Sequence, residues 1–265
     1  METLEPVFTD EQIDQFIENG FIRLDHAFSK ETAQACRAAL WRETGLDPDD
    51  PTTWTEPVVR VWESSEEPFI EAANTPRLRA AYDQLVGRDR WVPMRTMGTF
   101  PIRFPHKNPP QDVAWHVDGS YQSDNDPFFW LNLRSRDRAL LVLFLYSDVT
   151  EDDGPTRVRV GSHLDVPPLL EPAGEAGMSL RTLIDQLSCT EGRPEALVTG
   201  EAGDVYLVHP FTVHSAQEHR GTEPRFLAQP QLFPQGTLVV DGGPGTEYNA
   251  VERAIRKGLG RSDQG

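Results

Sequence analysis

Residues 139–146 read Ala-Leu-Leu-Val-Leu-Phe-Leu-Tyr, an apolar run bounded by Asp137 and Asp148. Similar short runs recur at 94–103, 113–117, 156–160, 204–208 and 226–233, each separated from the next by Pro, Gly, Asn or Asp. Runs of strand length between turn-forming residues point to an all-β sandwich or barrel, not to alternating β and α units. The expected core is 91–240, broken by an insert at 165–197. That insert has a Pro-rich start, a turn near Gly174 and Gly177, and a helical stretch around 180–187. A connection of that length reads as a lid or binding loop.

Upstream, residues 8–90 read as a helical lead-in. Asp10 caps a helix carrying Ile13, Phe16 and Ile17, and Gly20 stops it. Residues 21–24 form a short strand. Ser29 opens a second helix with Ala33, Cys36, Leu40 and Trp41 on one face, and Thr75-Pro76 opens a third that ends before Gly87. Residues 45–57 form a loop. The tail, 241–265, is expected to hold one helix and a frayed end.

One domain accommodates all of this, since 265 residues with 38% hydrophobic content build one sizeable core. The formal net charge of −17 disfavours phosphate backbones and anionic membranes as partners. Cys36 and Cys189 have no pairing or metal-site spacing. The N-terminal residues lack a basic-then-apolar signal pattern, and no apolar stretch approaches bilayer-spanning length. The chain therefore reads as soluble and cytoplasmic. Oligomeric state has no signature in the sequence.

The chemistry concentrates in Trp115-His116-Val117-Asp118-Gly119. Residues two apart on a strand share a face, so His116 and Asp118 offer a nitrogen and an oxygen to one point. A third ligand has to come from another strand. Two histidines and one carboxylate on one side of a metal suit an iron(II) oxygenase, because three positions stay open. Residues 203–214 supply the candidates His209 and His214, five positions apart, which face opposite ways in a regular strand. Arg225 follows His214 by eleven positions across the polar turn 217–224, and a hairpin there places the two on neighbouring strands.

These segments resemble the phytanoyl-CoA dioxygenase family, in which a WHxD segment precedes HPxxxH and then an Arg eleven positions further on. Here they stand as Trp115-His116-Val117-Asp118, as His209-Pro210-Phe211-Thr212-Val213-His214, and as Arg225. FTDEQIDQFIENGFIRLDHAFS at 8–29 and DDGPTRVRVGSHL at 152–164 are similar to the family's lead-in and its Gly-Ser-His strand. The resemblance covers about residues 8–233. It implies a mainly β fold with flanking helices around a double-stranded β-helix (jelly-roll, cupin-like) core. It also implies Fe(II) held by His116, Asp118 and His214, with 2-oxoglutarate held by Arg225. The implied reaction consumes dioxygen, releases succinate and CO2, and hydroxylates a small-molecule substrate. Asp118 favours hydroxylation, since related halogenases lack that carboxylate.

The sequence departs from the family at two places. Many members carry a Ser two positions after the distal His; here that residue is Ala216 and the Ser is Ser215. Ser215, Thr99 and Thr156 are therefore the candidate hydroxyls beside the co-substrate. Arg159-Val160 stands where Pro is common, with an expected local effect only.

Other residues have plainer readings. His209 is assigned to packing or to support of a ligand, His163 to a structural hydrogen bond and His219 to a solvated turn. The run 134–138, Arg-Ser-Arg-Asp-Arg, reads as a solvated turn or as counter-charge for an anionic substrate. Trp54, Trp62, Phe128, Phe129 and Trp130 are core residues first and pocket walls second. The alternatives to an oxygenase are a jelly-roll isomerase or hydrolase sharing the ligand set, and a non-catalytic binding protein.

Overall fold

A computed structural model describes residues 5–123, 126–243 and 245–262. The extreme acidic N-terminus (1–4) and the expected frayed end at 263–265 lie outside the described residues.

Helix α1 (Asp10–Asn19) is capped by Thr9, one residue before the expected Asp10. A reciprocal Thr9–Gln12 box closes its first turn, and Gly20 at φ 85° ends it. Strand β1 (Phe21–Leu24) follows, then α2 (Lys30–Thr44), capped by Ser29 as read from the sequence. Strand β2 is Val58–Val61. Helix α3 (Glu67–Ala73) has no counterpart in the sequence reading, while α4 (Pro76–Leu85) does, with Thr75 as its cap.

The β region contains β3 (Phe100–Arg103), β4 (Tyr121–Ser123), β5 (Asp126–Leu131), β6 (Leu140–Leu145) and β7 (Arg157–Arg159). The insert folds as α5 (Pro167–Leu170), β8 (Met178–Ser179) and α6 (Leu180–Ile184), leading to β9 (Glu195–Leu197). Then come β10 (Val205–Val208), β11 (His214–Ser215), β12 (Leu227–Ala228), β13 (Gln231–Leu232) and α7 (Ala250–Gly258).

The main sheet runs β1-β10-β6-β12, all antiparallel, with β13 also on β6. A smaller sheet, β11-β7-β9, faces it. Both faces of β6 are covered, which explains its unbroken apolar sequence. Leu140, Val142 and Phe144 pack with the helices and with Val205 and Leu207. Leu141, Leu143 and Leu145 pack with Val158 of β7, Val198 and Tyr206. This is a mainly β jelly roll with helices against one sheet. The insert is tied down along β5, through the β5–β8 pairing and a 2.7 Å hydrogen bond from the Tyr121 hydroxyl to the Ala176 carbonyl. Among the described residues, no helix is long and apolar enough to cross a membrane.

Candidate metal centre

His116 and His214 form an isolated antiparallel bridge, exchanging backbone hydrogen bonds of 3.0 and 2.8 Å. The bridge brings the WHxD segment to the edge of β11, and the two imidazole centroids stand 4.4 Å apart. Each ring donates through Nδ1 to a carbonyl two residues upstream: His116 to Ala114 at 2.9 Å, His214 to Thr212 at 3.0 Å. A carbonyl only accepts, so Nδ1 carries the proton in both rings and Nε2 presents a lone pair. Asp118 extends to the same point while Val117, between them, is fully buried in the core.

Ligand atoms of His116, Asp118 and His214 all lie within 4.8 Å of one another. At bond lengths of about 2.0–2.2 Å, one cation reaches all three after small side-chain rotations. Burial, and then the neighbouring His116, lowers the His214 pKa to about 4, so the ring is neutral and free to ligate at pH 7. Burial alone would raise Asp118, but the Arg138 guanidinium, helped by the two imidazoles, outweighs it and holds the carboxyl below its ordinary range. The donor set therefore fits a divalent metal.

Arg138 corrects the reading of 134–138 as a solvated turn. It is buried, with Nη1 3.2 Å from Asp118 Oδ2 and Nη2 donating to Gln231 Oε1 at 2.9 Å and to the Gly119 carbonyl at 3.3 Å. Ser135, at φ 40°, turns the chain back, and its hydroxyl donates to the Arg138 carbonyl at 2.6 Å. The Arg157 and Arg159 guanidiniums both lie against the Trp115 ring, 4.6 and 4.4 Å from its centroid. The unusual Arg159 thus braces the ligand segment, a role its sequence position did not signal.

Two spaces open onto the centre. An inner cavity of about 150 Å³ is lined by His116, His214, Arg225, Arg103, Thr156 and Gln229, among others. An outer cleft of about 400 Å³ is lined by Asp118, Arg138, Gln229, Thr99, Glu63 and Trp62, among others. Arg225 does not share a hairpin with His214. It bridges Arg103 instead, leading into the main sheet, and faces His214 across the inner cavity. The connecting turn crosses between sheets because the backbone N–H groups of Arg220 and Gly221 bond the Asp152 carbonyl at 2.6 and 2.8 Å. The same docking buries His219, expected in solvent, whose Nε2 donates to the Glu223 carbonyl at 2.8 Å.

Arg225 is 2% exposed. It donates to the Gly154 carbonyl at 2.6 Å and the Pro101 carbonyl at 3.3 Å, and its Nε is buried without a partner. Arg103, which the sequence reading missed, stands beside it and pairs with Asp112 at 2.8 Å. Of the candidate hydroxyls, Thr156 lines the inner cavity and Thr99 the outer cleft. Ser215 Oγ is committed to the Val113 and Ala216 carbonyls at 2.7 and 2.8 Å.

His209 points away from the centre. Its Nε2 donates to the Val251 carbonyl of α7 at 3.2 Å and its Nδ1 accepts from the Phe211 N–H. His163 is a buried structural residue, bonded through Nε2 to the Ile17 carbonyl at 2.9 Å. Trp54 packs against Trp41 and Phe104 as a core residue. Trp62, Phe128 and Phe129 are exposed.

The fold is shared with solved enzymes. The non-heme alpha-ketoglutarate-dependent carbocyclase SnoK from nogalamycin biosynthesis is 20% identical, with 86% of this chain and 84% of that one covered and a TM-score of 0.61. HygX from Streptomyces hygroscopicus, solved with nickel, 2-oxoglutarate and hygromycin B, is 22% identical over 86% and 88% of the two chains, with a TM-score of 0.57. EctD from S. alaskensis, solved with 2-oxoglutarate and 5-hydroxyectoine, is 18% identical over 88% and 78%, with a TM-score of 0.56. No curated protein matches the chain. The family model for phytanoyl-CoA dioxygenase (PhyH) matches residues 16–227, which take in the WHxD segment, His214 and Arg225. The chain belongs to the phytanoyl-CoA dioxygenase (PhyH) family.

Proposed function

We propose that this chain is an iron(II)- and 2-oxoglutarate-dependent oxygenase that hydroxylates an unactivated C–H bond of a small-molecule metabolite. The observation that carries the reading is the convergence of His116, Asp118 and His214 on one point beside a cavity holding the buried Arg225. His116, Asp118 and His214 hold the iron. Bound iron(II) with 2-oxoglutarate and dioxygen supplies the oxidising chemistry, in which one oxygen atom enters the substrate C–H and the other enters succinate as CO2 leaves.

The protein's own share is placement. Arg225 grips the distal carboxylate of 2-oxoglutarate, since a buried guanidinium with an unsatisfied N–H favours a charge-assisted contact. Thr156, on the same cavity wall, is the hydroxyl placed to assist it. Of the other candidates weighed for that role, Ser215 is bonded to the Val113 and Ala216 carbonyls and Thr99 lines the outer cleft. Arg138 fixes the Asp118 carboxylate, leaving its other oxygen toward the metal. His214 is buried, whereas His116 and Asp118 are half-buried, so the centre is open on one side to the cleft from which a substrate would enter.

Hydroxylation is supported by the retained carboxylate at Asp118 and by the hydroxylated compound bound to EctD. The test is succinate release from 2-oxoglutarate by the iron(II)-loaded protein. Activity in the unaltered chain that disappears in Asp118→Ala supports the assignment. Full activity in Asp118→Ala contradicts it.

A further inference from the structure

The outer cleft has a charge character of its own. Its one cation among the described lining residues is Arg138, which is ion-paired with Asp118 and hydrogen-bonded through Nη2 to Gln231 and the Gly119 carbonyl, while its Nε and Nη1 are buried out of reach of solvent. Glu63, which also lines the cleft, is exposed, and its carboxylate makes no hydrogen bond or ion pair with the described residues. The Gln229 amide and the Thr96 and Thr99 hydroxyls are similarly without side-chain partners there. Trp62 and Phe233, 69% and 45% exposed, stand on the same cleft as apolar walls. A Cβ at Gly98 would overlap the Trp62 carbonyl, so glycine lets these walls approach.

A phosphate or carboxylate entering this cleft meets the exposed Glu63, while the one lining guanidinium, Arg138, is already neutralised by Asp118 and has its unpaired donors buried. A CoA ester carries several such groups and is disfavoured. An ammonium meets Glu63 and the face of an exposed indole, both attractive. The net charge of −17 draws cations toward the protein in the same sense. Free amide and hydroxyl groups suit a ligand rich in hydroxyls, and Trp62 and Phe233 suit its saturated C–H faces.

We infer that the outer cleft binds a small molecule carrying a protonated amine beside a saturated, hydroxylated face, with Glu63 as counter-charge to the amine. This rests on the oxygenase reading, which places the oxidised carbon at the Asp118 end of the cleft.

The test uses protein loaded anaerobically with iron(II) and 2-oxoglutarate. Binding of glucosamine, glucose, glucose 6-phosphate and octanoyl-CoA is compared by saturation-transfer NMR titration. Glucosamine is expected to bind about two- to fivefold more tightly than glucose, the range for a partly exposed ion pair. The phosphate and the CoA ester are expected to bind most weakly. Glu63→Gln is expected to bring glucosamine level with glucose while its binding of glucose stays unchanged. Equal binding of the amine and the neutral sugar, absence of glucosamine binding, tighter binding of either anion, or an amine preference that survives Glu63→Gln overturns the inference. Succinate release without added substrate is measured first. If it occurs and the probes fail, only the substrate class is wrong. If neither iron binding nor succinate release occurs, the oxygenase reading fails and takes this inference with it.

Discussion

Arg138 stands behind Asp118 with Nη1 3.2 Å from Oδ2, and its Nη2 reaches the Gly119 carbonyl and Gln231. Truncation to Ala frees the carboxylate to rotate and leaves it without its main counter-charge. Supporting contacts of this kind are typically worth about 10–100-fold in metal affinity. Arg138→Ala is therefore expected to weaken iron(II) binding by about that factor with the fold retained, measured by anaerobic titration alongside circular dichroism. Unchanged affinity means Asp118 is held by other groups. Arg225→Ala is expected to raise the 2-oxoglutarate KM about ten- to hundredfold, the equivalent of losing a charge-assisted contact of about 1.5–3 kcal/mol. An unchanged KM assigns the distal carboxylate to Arg103 instead. The pair His116 and Asp118 was legible because strand alternation alone puts them on one face. Arg138 was not, because the polar run Arg-Ser-Arg-Asp-Arg carries no apolar periodicity. The positive φ at Ser135 and its hydroxyl bond to the Arg138 carbonyl shape the turn from which that guanidinium is buried.

At the scale of elements, the join of α1 and β1 is closely packed. Gly20 sits at φ 85°, and a Cβ there would run into the His163 ring and the Thr212 hydroxyl. The Gly20 carbonyl also accepts from the His209 N–H at 2.8 Å and the Thr212 hydroxyl at 2.9 Å, just upstream of His214. Gly20→Ala combines left-handed backbone strain with overpacking and is expected to cost about 2–4 kcal/mol, read as a lowered midpoint in urea unfolding. A change under about 0.5 kcal/mol would show that this join relaxes freely. The helix stop at Gly20, the caps at Ser29 and Thr75, and the apolar strands were all readable, since each is a local signal. Helix α3 was not, because its seven residues are stabilised by burial of Phe69, Ala72 and Ala73 rather than by caps. The crossing of 217–224 between sheets was hidden for a related reason. It depends on contacts with Asp152, some seventy residues away in the chain, which no local pattern reports.

For the molecule as a whole, acid should be the more damaging side of neutrality. Burial, offset in part by the hydrogen bond to the Ile17 carbonyl, lowers the His163 pKa from 6.5 to about 4. Arg193 nearby adds to the lowering, while Asp165 and Glu18 oppose it. Burial also holds the neighbouring His209 well below 6.5, and the adjacent His163 adds to that. The unfolded chain thus takes up protons near pH 6.5 that the folded chain refuses. The stability due to His163 is complete above 6.5, declines between 6.5 and about 4, and totals about 3 kcal/mol. Thermal unfolding across that window is expected to show a falling midpoint. A flat profile would mean that both imidazoles are already charged in the fold.

The architecture was legible from the rhythm of short apolar runs, but the assignment of spaces was not. Which hydroxyl, arginine or aromatic faces which cavity depends on how the two sheets are opposed. Whether three side chains from two β segments hold one iron is read by anaerobic titration with iron(II) and 2-oxoglutarate, followed by visible charge-transfer absorption. Saturation at one iron per chain is expected in the unaltered protein, with loss of the band in His214→Ala. A band that persists at full strength in His214→Ala, or no saturable iron binding in the unaltered chain, would contradict this assignment.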